Sequence, residues 1–139
     1  MIKIELSEAD LNKLLKTGQE KTQLEALAKL KNFKFQENNR IAFDQSFSPV
    51  DTTPQIELSA DKSGKLLINI IRLADNSFGN FLLGALKSKV VSTIADKSNG
   101  FLHRESDCCL SLDLTRNLNA RVGKIAVQKQ KMTLEIEIS

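Results

Sequence analysis

The sequence predicts an α+β fold: a curved antiparallel sheet of about seven strands wrapped against a long amphipathic helix, plus a short N-terminal helix. Three observations predict it. Apolar residues alternate with period two over most of the chain, in runs separated by Asn, Gly and Pro turn signals. One stretch, Ser77–Phe101, switches to a helical period: Phe78, Leu82, Leu86, Val90 and Ile94 recur at every fourth position. The strand runs fall in hairpins on either side of that helix instead of alternating with helices, which favours an antiparallel sheet.

The elements follow in order. In "LSEADLNKLLKTG", Ser7 is a good N-cap, and Glu8 and Asp10 sit in the first turn where the helix dipole favours acids. Leu11, Leu14 and Leu15 form its apolar face, and Gly18 is expected to stop or bend it. "EKTQLEALAKLKNF" reads as helical or irregular to about Leu27 and as a strand beyond it. "LKNFKFQENNRIAFDQSF" is a hairpin, with Phe33 and Phe35 in one arm, Ile41, Phe43 and Phe47 in the other, and "ENNR" as the turn. "SPVDTTP" holds both prolines and reads as a loop. "QIELSADKSGKLLINIIRL" is a second hairpin turning at "ADKSGK". Its second arm carries Leu66, Ile68 and Ile70 on one side and Leu67 and Ile71 on the other, the pattern of a strand covered on both faces.

The long helix comes next. Leu83 flanks its ridge, Phe81 and Ala85 widen the apolar arc in the first turns, and Lys87, Ser88, Ser92 and Lys97 take the polar side. It is about 20 residues, roughly 30 Å if straight, and its ridge is expected to lie on the dry face of the sheet. "SDCCLSLDLT" then alternates Cys108, Leu110, Leu112 and Leu114 against Asp107, Cys109, Ser111, Asp113 and Thr115. In the last two strands Val122, Ile125 and Val127 are followed by Met132, Leu134, Ile136 and Ile138, opposed by Thr133, Glu135 and Glu137, so one side is dry and one wet.

With 139 residues, the chain fits a single domain, 1–139. Its 41% hydrophobic and 27% charged residues are globular values, so a packed core is expected instead of disorder. The net charge of +3 is mild, and its nearest approaches to a basic cluster, "KLKNFK" and "QKQK", lie in alternating strands. No nucleic-acid partner is expected, since such partners call for dense Lys/Arg clusters on one face; weak peripheral contact with an anionic membrane is compatible with this charge. The chain has neither Trp nor Tyr, which argues against sugar or base stacking. The adjacent Cys108 and Cys109 are poorly placed for a mutual disulfide; one reads as a small core residue and the other as a semi-exposed thiol.

No site of chemistry emerges. The lone His103 has no second His to share a metal and reads as a loop residue. Gly79, Gly84 and Lys87 do not match the spacing of a phosphate loop. Glu135 and Glu137 point the same way on an exposed strand, where charge protects an edge. The expectation is therefore a protein that is not an enzyme and uses no cofactor or metal. "MIKIELSEAD" has no signal-peptide core, and no apolar run approaches the about 18 residues that span a bilayer, so a cytoplasmic location is expected unless an export segment precedes it.

The order of elements, carried by "LSEADLNKLL", "DKSGKLLINIIRL", "FGNFLLGALKSKVVSTI" and the closing "CLSLDLT" and "IAVQKQKMTLEIEI", resembles the bacterial LmeA-like phospholipid-binding family within the tubular lipid-binding superfamily. The resemblance implies a helix wrapped by an antiparallel sheet, with an apolar groove that holds a lipid or other apolar small molecule. It would be lined by Phe78, Phe81, Leu82, Leu86, Val90 and Ile94 from the helix and by Phe43, Ile68, Ile70, Leu112 and Leu134 from the sheet. The competing expectation is a structural or protein-interaction domain with a filled core that assembles as a homo-oligomer.

Overall fold

The computed structural model describes residues 1–21, 30–47, 50–72, 87–97, 102–114 and 119–138. In chain order the elements are β1 (Ile2–Ser7), α1 (Glu8–Lys21), β2 (Leu30–Gln36), β3 (Arg40–Phe47), β4 (Val50–Thr52), β5 (Gln55–Ala60), β6 (Leu66–Arg72), α2 (Lys87–Lys97), β7 (Leu102–Ser106), β8 (Cys109–Leu112), β9 (Ala120–Gln128) and β10 (Lys131–Ile138). The strands form two antiparallel sheets. The smaller runs β1-β10-β9; the larger runs β2-β3-β5-β6-β8-β7, with β4 added on β3.

The two central hairpins fall where residues tolerate positive φ. Asn38 (φ 62°) and Asn39 (φ 60°) turn β2 into β3, and Gly64 (φ 91°) serves the β5–β6 turn. In that turn the Asp61 carboxylate accepts the main-chain N–H groups of Ser63 (3.0 Å) and Lys65 (2.8 Å) and the Ser63 hydroxyl (2.8 Å). Those bonds, Lys65 first, hold its pKa below the usual carboxylate range. At the start of α1 the Ser7 hydroxyl accepts the Asp10 N–H (3.1 Å), and the Asp10 carboxylate accepts the Ser7 N–H (3.2 Å). This reciprocal cap confirms Ser7 as the N-cap.

The core lies between the sheets. Phe35, Ile41 and Leu58 of the larger sheet pack with Ile125, Val127 and Met132 of the smaller, and Leu11 of α1 packs against the same cluster. β9 lies against β5, β2 and β3, so the smaller sheet covers one half of the larger. α2 packs on β7 and β8 in the other half, and its Val91 is completely buried.

Hydrogen bonds tie the sheets to each other, among them one from the Arg121 guanidinium to the Lys62 carbonyl (3.1 Å). The Asn39 side chain donates to the Ile125 carbonyl (3.2 Å) and accepts the Val127 N–H (2.8 Å). The Gly64 carbonyl accepts the Val122 N–H (2.8 Å). A Cβ on Gly64 would collide with Cβ of Arg121, so this close approach requires glycine as much as the turn does.

The expected single sheet around a long helix is thus corrected. The fold is mostly β instead of α+β: ten described strands form two sheets, against about seven expected in one, and among the described residues the second helix is the 11-residue α2. Alternation reveals which face of a strand is dry but not which strands share a sheet. β9 and β10 form their own layer because β1, pairing Ile2↔Ile136 through Ser7↔Lys131, completes a sheet with them. Ile2–Ser7 is a further strand, one whose alternation runs directly into the helix cap.

Other departures are local. α1 continues through Gly18 to Lys21 instead of stopping. "SPVDTTP" is not wholly loop, since Val50–Thr52 pairs with β3. His103 lies in strand β7, opposite Ser111 of β8, and not in a loop. Cys109 and Ser111, on the more polar side of the alternation, are buried together with Leu110, so β8 is covered on both faces. Cys108 sits in the turn before β8 and is half-buried, and both thiols are free, matching one core and one semi-exposed cysteine. The two central hairpins and the β9–β10 hairpin fall where alternation placed them.

Candidate functional site

Residues facing each other across an antiparallel ladder share a side, so register defines the apolar face of the larger sheet. One row runs Phe35, Ile41, Ile56, Ile70; a second runs Leu58, Ile68, Leu110; a third Leu66, Leu112, Leu102. Under the smaller sheet this face is closed: Phe35 is 4% exposed and Ile41 3%. β6 differs. It lies between the strands that the smaller sheet covers and the strands that α2 covers, and all seven of its residues are half-buried.

The residues expected to line a ligand groove fall as follows. Ile68 and Ile70 are on β6, Leu112 is on β8 on the same face, and all three are half-buried. Phe43 of β3 is also half-buried, its ring centroid 5.1 Å from that of Phe33. Leu134 belongs to β10 in the other sheet; it and Ile68 both pack against the core cluster between the sheets. Ile94 is half-buried in α2. Val90 is also in α2, with its side chain outside the described residues, where Phe78, Phe81, Leu82 and Leu86 lie as well. The structure therefore brings Ile68, Ile70 and Leu112 together and sets Leu134 across the inter-sheet core from Ile68.

The polar groups of β7 and β8 are tied to each other. The Ser111 hydroxyl, fully buried, donates to the Glu105 carboxylate (2.6 Å), and Lys65 Nζ lies 3.5 Å from the same oxygen. The Ser111 bond and the lysine charge hold the Glu105 pKa below the usual carboxylate range. Burial pushes the Cys109 thiol up, the opposite of what a reactive thiolate requires. Arg104 pairs with Asp107 across the β7–β8 turn. Among the described residues no group of three His, Cys, Asp or Glu side chains is placed to hold a metal ion.

The smaller sheet has a different character. Its outer face carries a hollow of about 230 Å³ lined by Lys3, Lys124, Lys131, Thr133 and Glu135, among others. Glu5 bridges Lys131 (3.1 Å) and Lys3 (3.5 Å), and the Lys131 hydrogen bond and charge lower its pKa. On its inner face the strip nearest β1 is open: Ile2 is 46% exposed, Ile4 36% and Ile138 61%. Sequence reasoning missed this surface. The signal that could have found it is the alternation Ile2, Ile4, Leu6 against Lys3, Glu5, Ser7.

No described helix is long and apolar enough to cross a membrane. No family model matches the chain, and no curated protein or solved structure matches it.

Proposed function

We propose that the protein binds a lipid or other apolar molecule without catalysing a reaction, and that the ligand lies on the apolar face of the larger sheet around β6. One observation carries the reading. A central strand of Leu and Ile residues with one Asn and a terminal Arg is left half-buried along its whole length, between two better covered regions. Ile68, Ile70 and Leu112 supply the contact surface, and Phe43 extends the same side toward β3.

Burial alone suffices for affinity here. An acyl chain that removes about 300 Å² of apolar surface from water gains roughly 7 kcal/mol before association costs. No polar contact is then needed at the chain, and a headgroup stays in solvent, where the mild positive charge favours an anionic lipid surface.

The test is organic extraction of the purified protein followed by mass spectrometry, together with titration of a fluorescent fatty acid. Ile70, half-buried and outside the core cluster, is the informative position. Ile70→Arg should abolish fatty-acid binding while leaving a cooperative thermal transition. Wild-type protein that carries no lipid and binds no fatty acid would remove the proposal.

A further inference from the structure

Strand edges attract partners, and folded proteins cover or blunt them. Three terminal strands here are handled in that way. On β2, the Asn12 side chain donates to the Phe33 carbonyl (3.1 Å) and accepts the Phe33 N–H (2.8 Å), while Glu8 accepts the Phe35 N–H (2.6 Å). On β9, Asn39 and Gly64 bind main-chain groups of Val122, Ile125 and Val127. On β7, a register shift between Arg104 and Ser106 interrupts a five-residue strand.

β1 has none of these devices. It pairs with β10 over six residues without a register shift, and among the described residues β10 is its only neighbour in the sheet. Five of its six residues are exposed. Every second residue of such a strand turns its N–H and C=O away from the sheet, ready for another strand.

The side chains name that strand. Lys3 and Glu5 stand two residues apart on the wet face, with Ile4 between them on the dry face. In an antiparallel pairing of β1 with β1 of a second copy, centred on Ile4, Lys3 of each copy faces Glu5 of the other. Ile2 faces Leu6, and Ile4 faces Ile4. Both faces are then self-complementary, as a two-fold interface demands. A register one residue away would set Lys3 opposite Ile4 and mix the faces.

We propose that two copies of this chain associate through β1 in this register, joining their smaller sheets into one continuous six-stranded sheet, β9-β10-β1-β1-β10-β9. The exposed strip of Ile2 and Ile4 then continues across the joint, and Lys3 and Glu5 form an alternating cluster of four charges. The pairing is independent of any ligand on the larger sheet.

Sedimentation velocity over a protein concentration series tests it. Wild-type protein should form a dimer. Lys3→Glu places two glutamates opposite two glutamates, and Glu5→Lys places lysines opposite lysines; each should weaken the dimer about tenfold or more. An equimolar mixture of the two variants restores opposite charges across the joint and should dimerise like the wild type. Glu5→Lys also loses the Lys131 contact, so folding is checked by circular dichroism. If that variant fails to fold, Lys3→Glu alone decides, because salt screens charge. Added salt must tighten the Lys3→Glu dimer and loosen the wild-type one. Wild-type protein that stays monomeric overturns the proposal, as do variants that dimerise normally, a mixture no tighter than its components, or salt effects of the same sign.

Discussion

Asn39 performs two tasks that pull on different parts of one residue. Its backbone takes the left-handed conformation that the β2–β3 turn needs, and its carboxamide reaches β9 to bind Ile125 and Val127. Asparagine tolerates that conformation better than most residues, and the positive φ was expected from "ENNR". The bridge to residues more than 80 positions away was not legible, because nothing local in the sequence distinguishes a turn amide that faces water from one that ties two sheets. Asn39→Ala removes a donor and an acceptor and leaves the Val127 N–H and the Ile125 carbonyl without their partner. The expected loss is about 2–3 kcal/mol in urea unfolding, with faster amide exchange at Val127. Unchanged stability would mean that water replaces the bridge at no cost.

At the scale of elements, α1 is a cover for a sheet edge as well as a packed helix. Among the described side chains, its apolar contribution to the core is Leu11, whereas Leu14 is 57% exposed. Glu8 and Asn12, one turn apart, present polar groups to β2 at the spacing of two strand residues. Both positions read only as ordinary helix-surface residues, since the i, i+4 pattern is blind to whether the neighbour is solvent or a strand. Asn12→Ala should cost about 1–3 kcal/mol and expose the Phe33 amide to exchange, with little change in helix content. The hairpins were legible for the opposite reason: turn residues and alternation are local, so Asn38–Asn39 and Asp61–Gly64 place β2–β3 and β5–β6 correctly. The short strands β4 and β7 lack enough alternating residues to announce themselves, and they exist because β3 and β8 offer them a pairing edge.

For the molecule as a whole, layering is what the sequence left open. The dry faces of β9 and β10 were visible in Val122, Ile125, Met132 and Leu134, but the same pattern suits one curled sheet or two stacked ones. The pairing of β1 with β10 decides between them. Charge acts at the same scale. Glu5, Asp10, Asp61 and Glu105 are all held below the usual carboxylate range, by Lys131, Ser7, Lys65 and Ser111 respectively. The unfolded chain therefore binds more protons than the folded one in acid. Stability from these groups is fully present above their unfolded pKa values and is lost as pH falls through the folded ones. The raised Cys109 thiol acts at the other end, since its contribution fades as pH rises past the ordinary thiol range. Thermal unfolding across pH should show a plateau near neutrality with a steeper acid limb, and a flat acid limb would contradict the carboxylate contacts.

The pairing of Ile2 with Ile136 also sets an order of events. On a chain synthesised from its N-terminal end, β1 emerges long before the strand that receives it. The β2–β3 and β5–β6 hairpins can form from nearby residues in the meantime, but the core face of Phe35, Ile41 and Leu58 stays uncovered until β9 and β10 arrive. The pairing of β1 with β10 is a contact of high sequence separation, the kind that slows two-state folders most. During that wait the β1 segment is an unpaired alternating strand, and nascent chains on neighbouring ribosomes present the same segment to one another.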